Sequence, residues 1–182
     1  MADVDSFERY DGVAKAFHWS IAALIIAVFG LAWFMDALPL GPLKADMYNL
    51  HKSIGLTILA LAALRLAWRM THRPPPLPLD TPGWERLAAH SGHAALYVFL
   101  FLQPLLGLGI AFYSSFPTRI YGLFNLPSPV APDKAVMDFM AETHELVGTL
   151  LLITVGVHVT AALRHHFILK NNILRRMLPG AR

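Results

Sequence analysis

Four of the nine histidines lie inside or at the ends of apolar stretches long enough to cross a bilayer: His18, His51, His144 and His158. Ionisable side chains are expensive at membrane depth, so their presence there indicates a functional site. Imidazole is the commonest metal ligand in proteins and also carries protons near neutral pH. Two pairs of such histidines predict metal-centred chemistry, and they require helices that hold them at defined depths.

The composition places these histidines in a membrane protein. Hydrophobic residues make up 55% of the chain and charged residues 15%, whereas soluble domains are about a quarter charged. A chain of 182 residues with several spans leaves room for one domain, residues 1–182, and short loops. The absence of cysteine excludes disulfides, iron–sulfur clusters and covalent haem attachment. The basic residues lie beside apolar segments, which indicates contact with the lipid bilayer and no nucleic acid.

Four apolar runs predict four transmembrane helices, since each is at or above the roughly 20 residues that span the hydrocarbon core. Prolines separate the runs, and Pro104 inside the third run predicts a kink that neighbouring helices tolerate. The fold class is therefore all-α. We expect a four-helix transmembrane bundle with helices at about residues 17–38, 50–69, 87–113 and 139–163.

The distribution of basic residues predicts the orientation of this bundle. Eleven of the fifteen lysines and arginines lie in the N-terminal tail, around the second connection and in the C-terminal tail, and four lie on the other side. The positive-inside rule then places both termini in the cytoplasm. The first apolar run is too long for a signal peptide and its upstream flank is mixed in charge, so no cleaved leader is expected.

This topology assigns a depth to each histidine. His18 begins the first helix on the inner side, and His51 begins the second helix on the outer side. In the fourth helix His144 lies near the outer end and His158 near the inner end, about 21 Å apart and on nearly the same face. We therefore pair His18 with His158, the inner pair, and His51 with His144, the outer pair.

The chemistry of these pairs favours haem. Two histidines without a nearby carboxylate or thiolate lack the ligands that zinc, copper and non-haem iron normally need. A porphyrin supplies four further nitrogens, and two axial histidines leave no open position on the iron, which favours electron transfer over oxygen binding. Gly55, Gly148 and Gly156 near these histidines would let a flat ring approach the helices, although close helix packing is the alternative.

At this point the sequence resembles the bacterial cytochrome b561 family of small di-haem membrane cytochromes, over about residues 9–179. The matching segments are FHWSIAALI, NLHKSIGL, RLAWR, AHSGHAALY, ETHELVGTLL, GVHVTAALRHHF and KNNILRRMLP. The family's ligand positions fall on the same four histidines. The resemblance implies two haem b groups, a place in the bacterial inner membrane and, from the member that oxidises superoxide, electron transfer from periplasmic superoxide to ubiquinone with release of dioxygen.

Reducing a quinone requires protons as well as electrons, and histidine can supply a proton and a hydrogen bond near neutral pH. His165 and His166 follow the inner pair at the end of the fourth helix and are candidates for the quinone site, as are Trp19 and Ser20 on the facing helix. The alternative for the two histidines is a basic cluster that contacts phospholipid headgroups. No acid–base catalytic residue is assigned, because oxidising superoxide needs no proton.

Three further residues are predicted near the inner pair. His90 and His93 have the i, i+3 spacing of a metal pair, but interfacial packing or a hydrogen bond to a haem propionate is the preferred interpretation. Arg65 lies deep enough to contact a propionate or the quinone. The alternative is that its guanidinium extends to the headgroups.

On the outer side, Lys52 follows His51 directly and could neutralise a propionate of the outer haem. Lys52, Arg119 and Lys134 together could form a positive funnel that steers an anionic substrate. The alternative is that they are solvated loop charges.

Two other functions use the same residues. The chain could be an electron-relay cytochrome b subunit, or anchor, between the quinone pool and a separate redox partner. A transporter with a histidine proton relay is the weaker interpretation, because the sequence has no inverted repeat or pair of broken helices.

Overall fold

The computed structural model describes residues 9–78 and 80–180, so the outermost ends of the predicted domain lie outside the described residues. Four long helices account for most of this part of the chain. A two-stranded hairpin interrupts the connection between the third and fourth helices, and one short helix follows the fourth. The elements are α1 Gly12–Asp36, α2 Pro42–Thr71, α3 Gly83–Tyr113, β1 Thr118–Ile120, β2 Phe124–Leu126, α4 Lys134–Phe167 and α5 Ile173–Met177.

The prediction of four membrane-spanning helices is confirmed, because all four long helices are long and apolar enough to cross a bilayer. Their apolar side chains are largely exposed; Ile26 is 75% exposed and Val157 64% exposed. In water such exposure would be costly, whereas a bilayer covers these surfaces with acyl chains.

The helices extend beyond the apolar runs that predicted them. Asp11 begins α1 by accepting a hydrogen bond from the backbone N–H of Ala14 at 2.8 Å. Asp133 begins α4 by accepting from the N–H groups of Ala135 and Val136, and Pro42 occupies the first turn of α2. Hydropathy marks where lipid contact ends, but capping groups decide where the helical hydrogen bonds begin.

The helices pack in chain order, α1 on α2, α2 on α3 and α3 on α4. A small core of Ile21, Ile58, Ala62 and Leu100 joins the first three helices. The side chain of Trp19 at the start of α1 donates a hydrogen bond from Nε1 to the carbonyl of Met177 in α5 at 2.9 Å. Both ends of the described chain therefore lie at one end of the bundle, which we call the inner end.

The all-α prediction holds for the four long helices, and the connection between α3 and α4 adds a short β-hairpin. β1 and β2 pair antiparallel, with Thr118 opposite Leu126, around a turn in which Tyr121 and Gly122 have φ of 49° and 71°. Two N–H groups of the hairpin donate to α2: that of Arg119 in β1 to Asn49 Oδ1, and that of Tyr121 in the turn to Ser53 Oγ. Hydrogen bonds to another element pair the N–H groups that an edge strand leaves open. The local sequence of the hairpin does not predict such distant partners.

Candidate functional site

The structure brings together the same partners that the sequence pairs. His18 of α1 and His158 of α4 have ring centres 6.3 Å apart. His51 of α2 and His144 of α4 have ring centres 6.2 Å apart. The two pairs also have nearly equal angles between ring planes, 67° and 66°. α4 thus contributes one imidazole to each of two similar sites.

This separation fits one metal atom between each pair of rings. Two imidazole nitrogens bound to a metal at about 2 Å each, with each nitrogen roughly 1.1 Å from its ring centre, put the ring centres about 6 Å apart. A direct hydrogen bond between the rings, at about 2.9 Å between nitrogens, would bring the centres to about 5 Å. The imidazoles are therefore spaced for a shared ligand atom and not for contact with each other.

Each site offers two histidines as ligands, which suits a metal whose other ligands come from its own cofactor. Within residues 9–78 and 80–180, no group of three or more His, Cys, Asp or Glu side chains could hold a metal ion. The Nδ1 atoms of His18 and His51 are buried without a hydrogen-bond partner among the described residues. Two-histidine sites of this kind suit the iron of a porphyrin, which supplies four nitrogens.

A backbone carbonyl orients the outer pair. Nδ1 of His144 lies 3.0 Å from the carbonyl oxygen of Gln103 in α3, to which it donates as the N–H tautomer. This leaves Nε2 as the acceptor nitrogen available to a metal, an arrangement typical of metal-binding histidines. A Cβ on Gly107 would lie 3.3 Å from Cε1 of His144, so α3 approaches the ring closely. The sequence analysis missed Gln103 and Gly107, and Pro104 was the only nearby signal.

Two cavities flank the outer pair. One of about 460 Å³ extends between α1 and α4, and one of about 150 Å³ extends toward α3 and the β-hairpin. His51, His144 and Gly55 line both cavities. The larger cavity is within the range of roughly 300–1,000 Å³ that is usual for ligand pockets. A flat ring between the imidazoles would extend into both cavities, so the space fits a macrocycle.

The three glycines proposed to admit a flat ring have different surroundings. Gly55 borders both cavities, with open space where a Cβ would stand. Gly148 is packed against α3, and a Cβ there would lie 2.9 Å from Nε2 of Gln103. Gly156 faces open space. Gly55 thus fits the macrocycle interpretation, and Gly148 serves close helix packing as well as lining the larger cavity.

The inner pair has a third imidazole and a basic side chain beside it. His93 of α3 has its ring centre 5.5 Å from that of His158. His90 is exposed, with Nδ1 2.7 Å from the carbonyl oxygen of Arg86, so His90 and His93 have different partners. Arg65 is half-buried, with its guanidinium carbon 5.8 Å from the ring centre of Tyr97.

The predicted outer cations separate into two groups. Lys52 is half-buried and donates a hydrogen bond from Nζ to Thr118 Oγ1 at 2.9 Å, beside the smaller cavity. Arg119 is exposed and follows Thr118 directly, so it shares this region of the outer surface. Lys134 instead forms an ion pair with Asp138, one turn further along α4.

The predicted quinone residues lie in separate environments at the inner end. Nδ1 of His165 accepts a hydrogen bond from the side chain of Asn171 at 2.8 Å, and its Nε2 lies 3.9 Å from Glu85. The ring of His166 packs against Phe167. The other two candidates are on α1: Ser20 is exposed, and the indole N–H of Trp19 already has a partner in α5.

Comparison with known proteins gives one consistent result. A family model described as Prokaryotic cytochrome b561 matches residues 9–180. Cytochrome b561 homolog 2 of Escherichia coli strain K12 is 34% identical over 98% of this chain and 95% of that protein. Cytochrome b561 homolog 1 of the same strain is 30% identical over 94% and 97%. A protein named Probable superoxide oxidase CybB, from Yersinia pestis, is 27% identical over 96% and 98%.

Proposed function

Because the chain belongs to the prokaryotic cytochrome b561 family, we propose that it is a di-haem membrane oxidoreductase that takes electrons from superoxide and delivers them to ubiquinone. Proteins of this family bind haem b and transfer electrons. The proposal of two haems per chain rests on the two histidine pairs, within which the ring centres are 6.2 and 6.3 Å apart.

His18 and His158 would hold one haem and His51 and His144 the other. When bound, haem b would supply a one-electron carrier at each pair, and the two imidazoles of the pair would hold it. The hydrogen bond from His144 to the Gln103 carbonyl would hold the outer ligand in the tautomer that a metal requires.

The outer surface supports an anionic electron donor. Lys52 and Arg119 lie beside the outer pair, and a local positive field raises the encounter rate of an anion such as superoxide. Two superoxide ions would lose one electron each and leave as two molecules of dioxygen. The name of the Yersinia pestis relative, Probable superoxide oxidase CybB, supports this donor.

The inner end supports a site where ubiquinone gains two electrons and two protons. His165 lies at the end of α4 beside the Glu85 carboxylate, so it can receive a proton and pass it to a bound quinone oxygen. The orientation that this scheme requires puts the inner end in the cytoplasm. Most of the basic residues lie at that end, as the positive-inside rule demands.

The main test uses the purified protein without any partner. We expect about two b-type haems per chain, rapid reduction of their absorbance bands after a superoxide pulse, and ubiquinol formation when ubiquinone is added. A protein without a haem spectrum would end the proposal. Haem that superoxide leaves oxidised would exclude superoxide as the donor.

A second test separates the quinone end from the donor end. We expect His165→Gln to slow ubiquinol formation about a hundredfold while superoxide still reduces the haem at the wild-type rate. His90→Gln is the matched control, because His90 is an exposed histidine at the same end of the bundle. Equal effects of the two changes would place the quinone elsewhere.

A second candidate function is electron relay between the quinone pool and a separate redox protein. It is favoured by the two Escherichia coli relatives, whose names give no substrate and which have the higher identities. In that case the haem would be reduced quickly by quinol or by a partner and only slowly by superoxide.

A further inference from the structure

A basic cavity of about 320 Å³ lies at the inner end of the bundle. Its wall includes four arginines, which we call the four-arginine cavity: Arg9, Arg65, Arg69 and Arg73. Three of them follow each other at intervals of four residues, which places them along one side of α2 and of the segment after it. The fourth comes from the segment before α1.

The charge of this cavity is strongly positive. Among the described residues that line it, Asp11 is the acidic one, and it already accepts hydrogen bonds from the N–H of Ala14 and the indole N–H of Trp68. Partial burial raises the pKa of Asp11, but these hydrogen bonds outweigh it and leave the pKa below its usual value. Asp11 is therefore ionised at neutral pH and offsets one positive charge, whereas Arg65, Arg69 and Arg73 together bring three. The arrangement favours a bound anion.

Aromatic rings fix part of the wall. The guanidinium carbons of Arg65 and Arg69 lie 5.8 and 5.9 Å from the ring centre of Tyr97, within the distance of a cation–π contact. The ring of Trp68 stacks on His72, with centres 3.8 Å apart and planes 4° apart. These contacts restrict the side chains before any ligand binds, so less entropy is lost when an anion is bound.

The cavity has a deep end and a shallow end. Arg65 is the half-buried arginine furthest from the end of α2, and its guanidinium contacts Tyr97 of α3, so a haem propionate could reach it. Arg73 lies beyond the end of α2 and is exposed. From residue 65 to the end of α2 the helix rises about 9 Å, which carries the shallow end away from the inner pair.

We propose that the shallow end of the four-arginine cavity binds the phosphate group of an anionic phospholipid. Guanidinium groups bind phosphate through paired, charge-assisted hydrogen bonds. The cavity opens where α2 leaves the apolar zone, and neighbouring apolar side chains such as Met70, 79% exposed, have lipid as their natural contact. Basic pockets between transmembrane helices at this level are suited to lipid headgroups.

The test is native mass spectrometry of the purified, delipidated full chain titrated with phosphatidylglycerol. We expect one tightly held lipid per chain, and Arg73→Gln to weaken its binding about tenfold. Arg73 is exposed outside the helix, so this change leaves the bundle intact. Arg69→Gln is a second variant with the same expectation. Arg86→Gln removes an exposed charge from the same end outside the cavity and should change nothing.

Two further ligands identify the source of the phosphate. Phosphatidylcholine with the same acyl chains should bind more weakly, because its headgroup carries a compensating positive charge. If inorganic phosphate binds and the arginine variants weaken its binding, but the lipid does not bind, the site is an anion site for a soluble phosphate. That result would overturn the lipid as its ligand. Equal lipid binding by the wild type, Arg73→Gln and Arg86→Gln would overturn the proposal. The proposal would also be overturned if Arg73→Gln changed the haem spectrum but left lipid binding at the wild-type level.

Discussion

The outer and inner histidine pairs hold two imidazoles at almost the same separation, 6.2 and 6.3 Å, in different surroundings. The outer pair is fixed by the main chain: the Gln103 carbonyl faces one ring, and Gly107 lets α3 approach it. The inner pair lies among ionisable side chains, with His93 and Arg65 beside it. Main-chain contacts are thus enough to hold an imidazole in place for a flat cofactor, whereas ionisable side chains change the charge around that cofactor.

The different surroundings suit different tasks. A backbone carbonyl keeps the same charge at every pH, so it sets the position and tautomer of an imidazole without adding a titrating group. Arg65 near the inner pair brings a permanent positive charge to the end where we propose that ubiquinone gains electrons and protons. We therefore expect changes at the outer pair to alter cofactor occupancy, and changes around the inner pair to alter charge-dependent steps.

The largest expected effect is loss of one haem when one ligand is removed. His144→Ala should leave about one haem per chain, because the inner pair retains both of its imidazoles. His158→Ala should do the same while sparing the outer site. Haem content per chain, with the optical spectrum of the haem that remains, is the measurement. Loss of both haems in each variant would mean that the two pairs are not independent.

A smaller effect is expected where α3 approaches the outer ring. Gly107→Leu should displace the ring of His144, because even a Cβ at this position would lie 3.3 Å from Cε1. The result should be partial loss of the outer haem with the inner haem retained. Gly92→Leu on the same helix is the matched control, since a Cβ there meets nothing within 4 Å. Equal haem content in the two variants would show that α3 does not restrain the outer ring.

The positive outer surface should influence the rate of reduction by superoxide but not haem content. Lys52→Gln combined with Arg119→Gln should slow this reduction about tenfold at low ionic strength, and salt should reduce the difference. Lys134→Gln is the control, because Lys134 is already paired with Asp138. Stopped-flow absorbance measures the rate. A rate independent of both charge and salt would mean that no steering occurs at the outer face.

The smallest expected effect is on the free energy of unfolding, when the caps of α1 at the inner end and α4 at the outer end are removed in turn. Asp11 caps α1 and also accepts from Trp68 of α2, whereas Asp133 caps only its own helix. Asp11→Ala should lower the free energy of unfolding by about 1 kcal/mol, and Asp133→Ala by less. Thermal unfolding of the two variants provides the comparison, and equal losses would mean that the bond to Trp68 contributes nothing.

The same cap predicts a dependence on pH. The pKa of Asp11 is lower in the folded chain, so its contribution is present above the unfolded-state pKa of about 4. It is lost as the pH falls through the lower, folded-state pKa. The difference between wild type and Asp11→Ala should therefore shrink on acidification.

The four helices and the histidine pairs could be predicted because they depend on patterns within the sequence. Hydropathy identified the spans, and the alternating direction of the helices ordered the histidines by depth. The helix ends were placed less well, since α1 begins at Gly12 and not near residue 17. A side chain such as Asp11 forms a cap without any change in hydropathy at that point.

The β-hairpin and the partners of the pairs could not be predicted in the same way. The hairpin is held by Asn49 and Ser53, which precede it by about 70 positions. His90 and His93 were both expected near the inner pair, but the structure places only the ring of His93 beside His158, whereas His90 contacts the Arg86 carbonyl. Which of several nearby polar groups meet depends on how the helices rotate against each other, and hydropathy carries little information about rotation.

The sequence by itself determined the four spans, the depth of each histidine and the partner of each. These follow from the thickness of a bilayer, whose hydrocarbon core is about 30 Å, and from the constant rise per residue of a helix. Only the tertiary structure decided that a carbonyl of α3 orients His144, that the ring of His93 and not that of His90 contacts His158, and that four arginines share one cavity. Those contacts join residues far apart in the chain, and packing alone sets which of them meet.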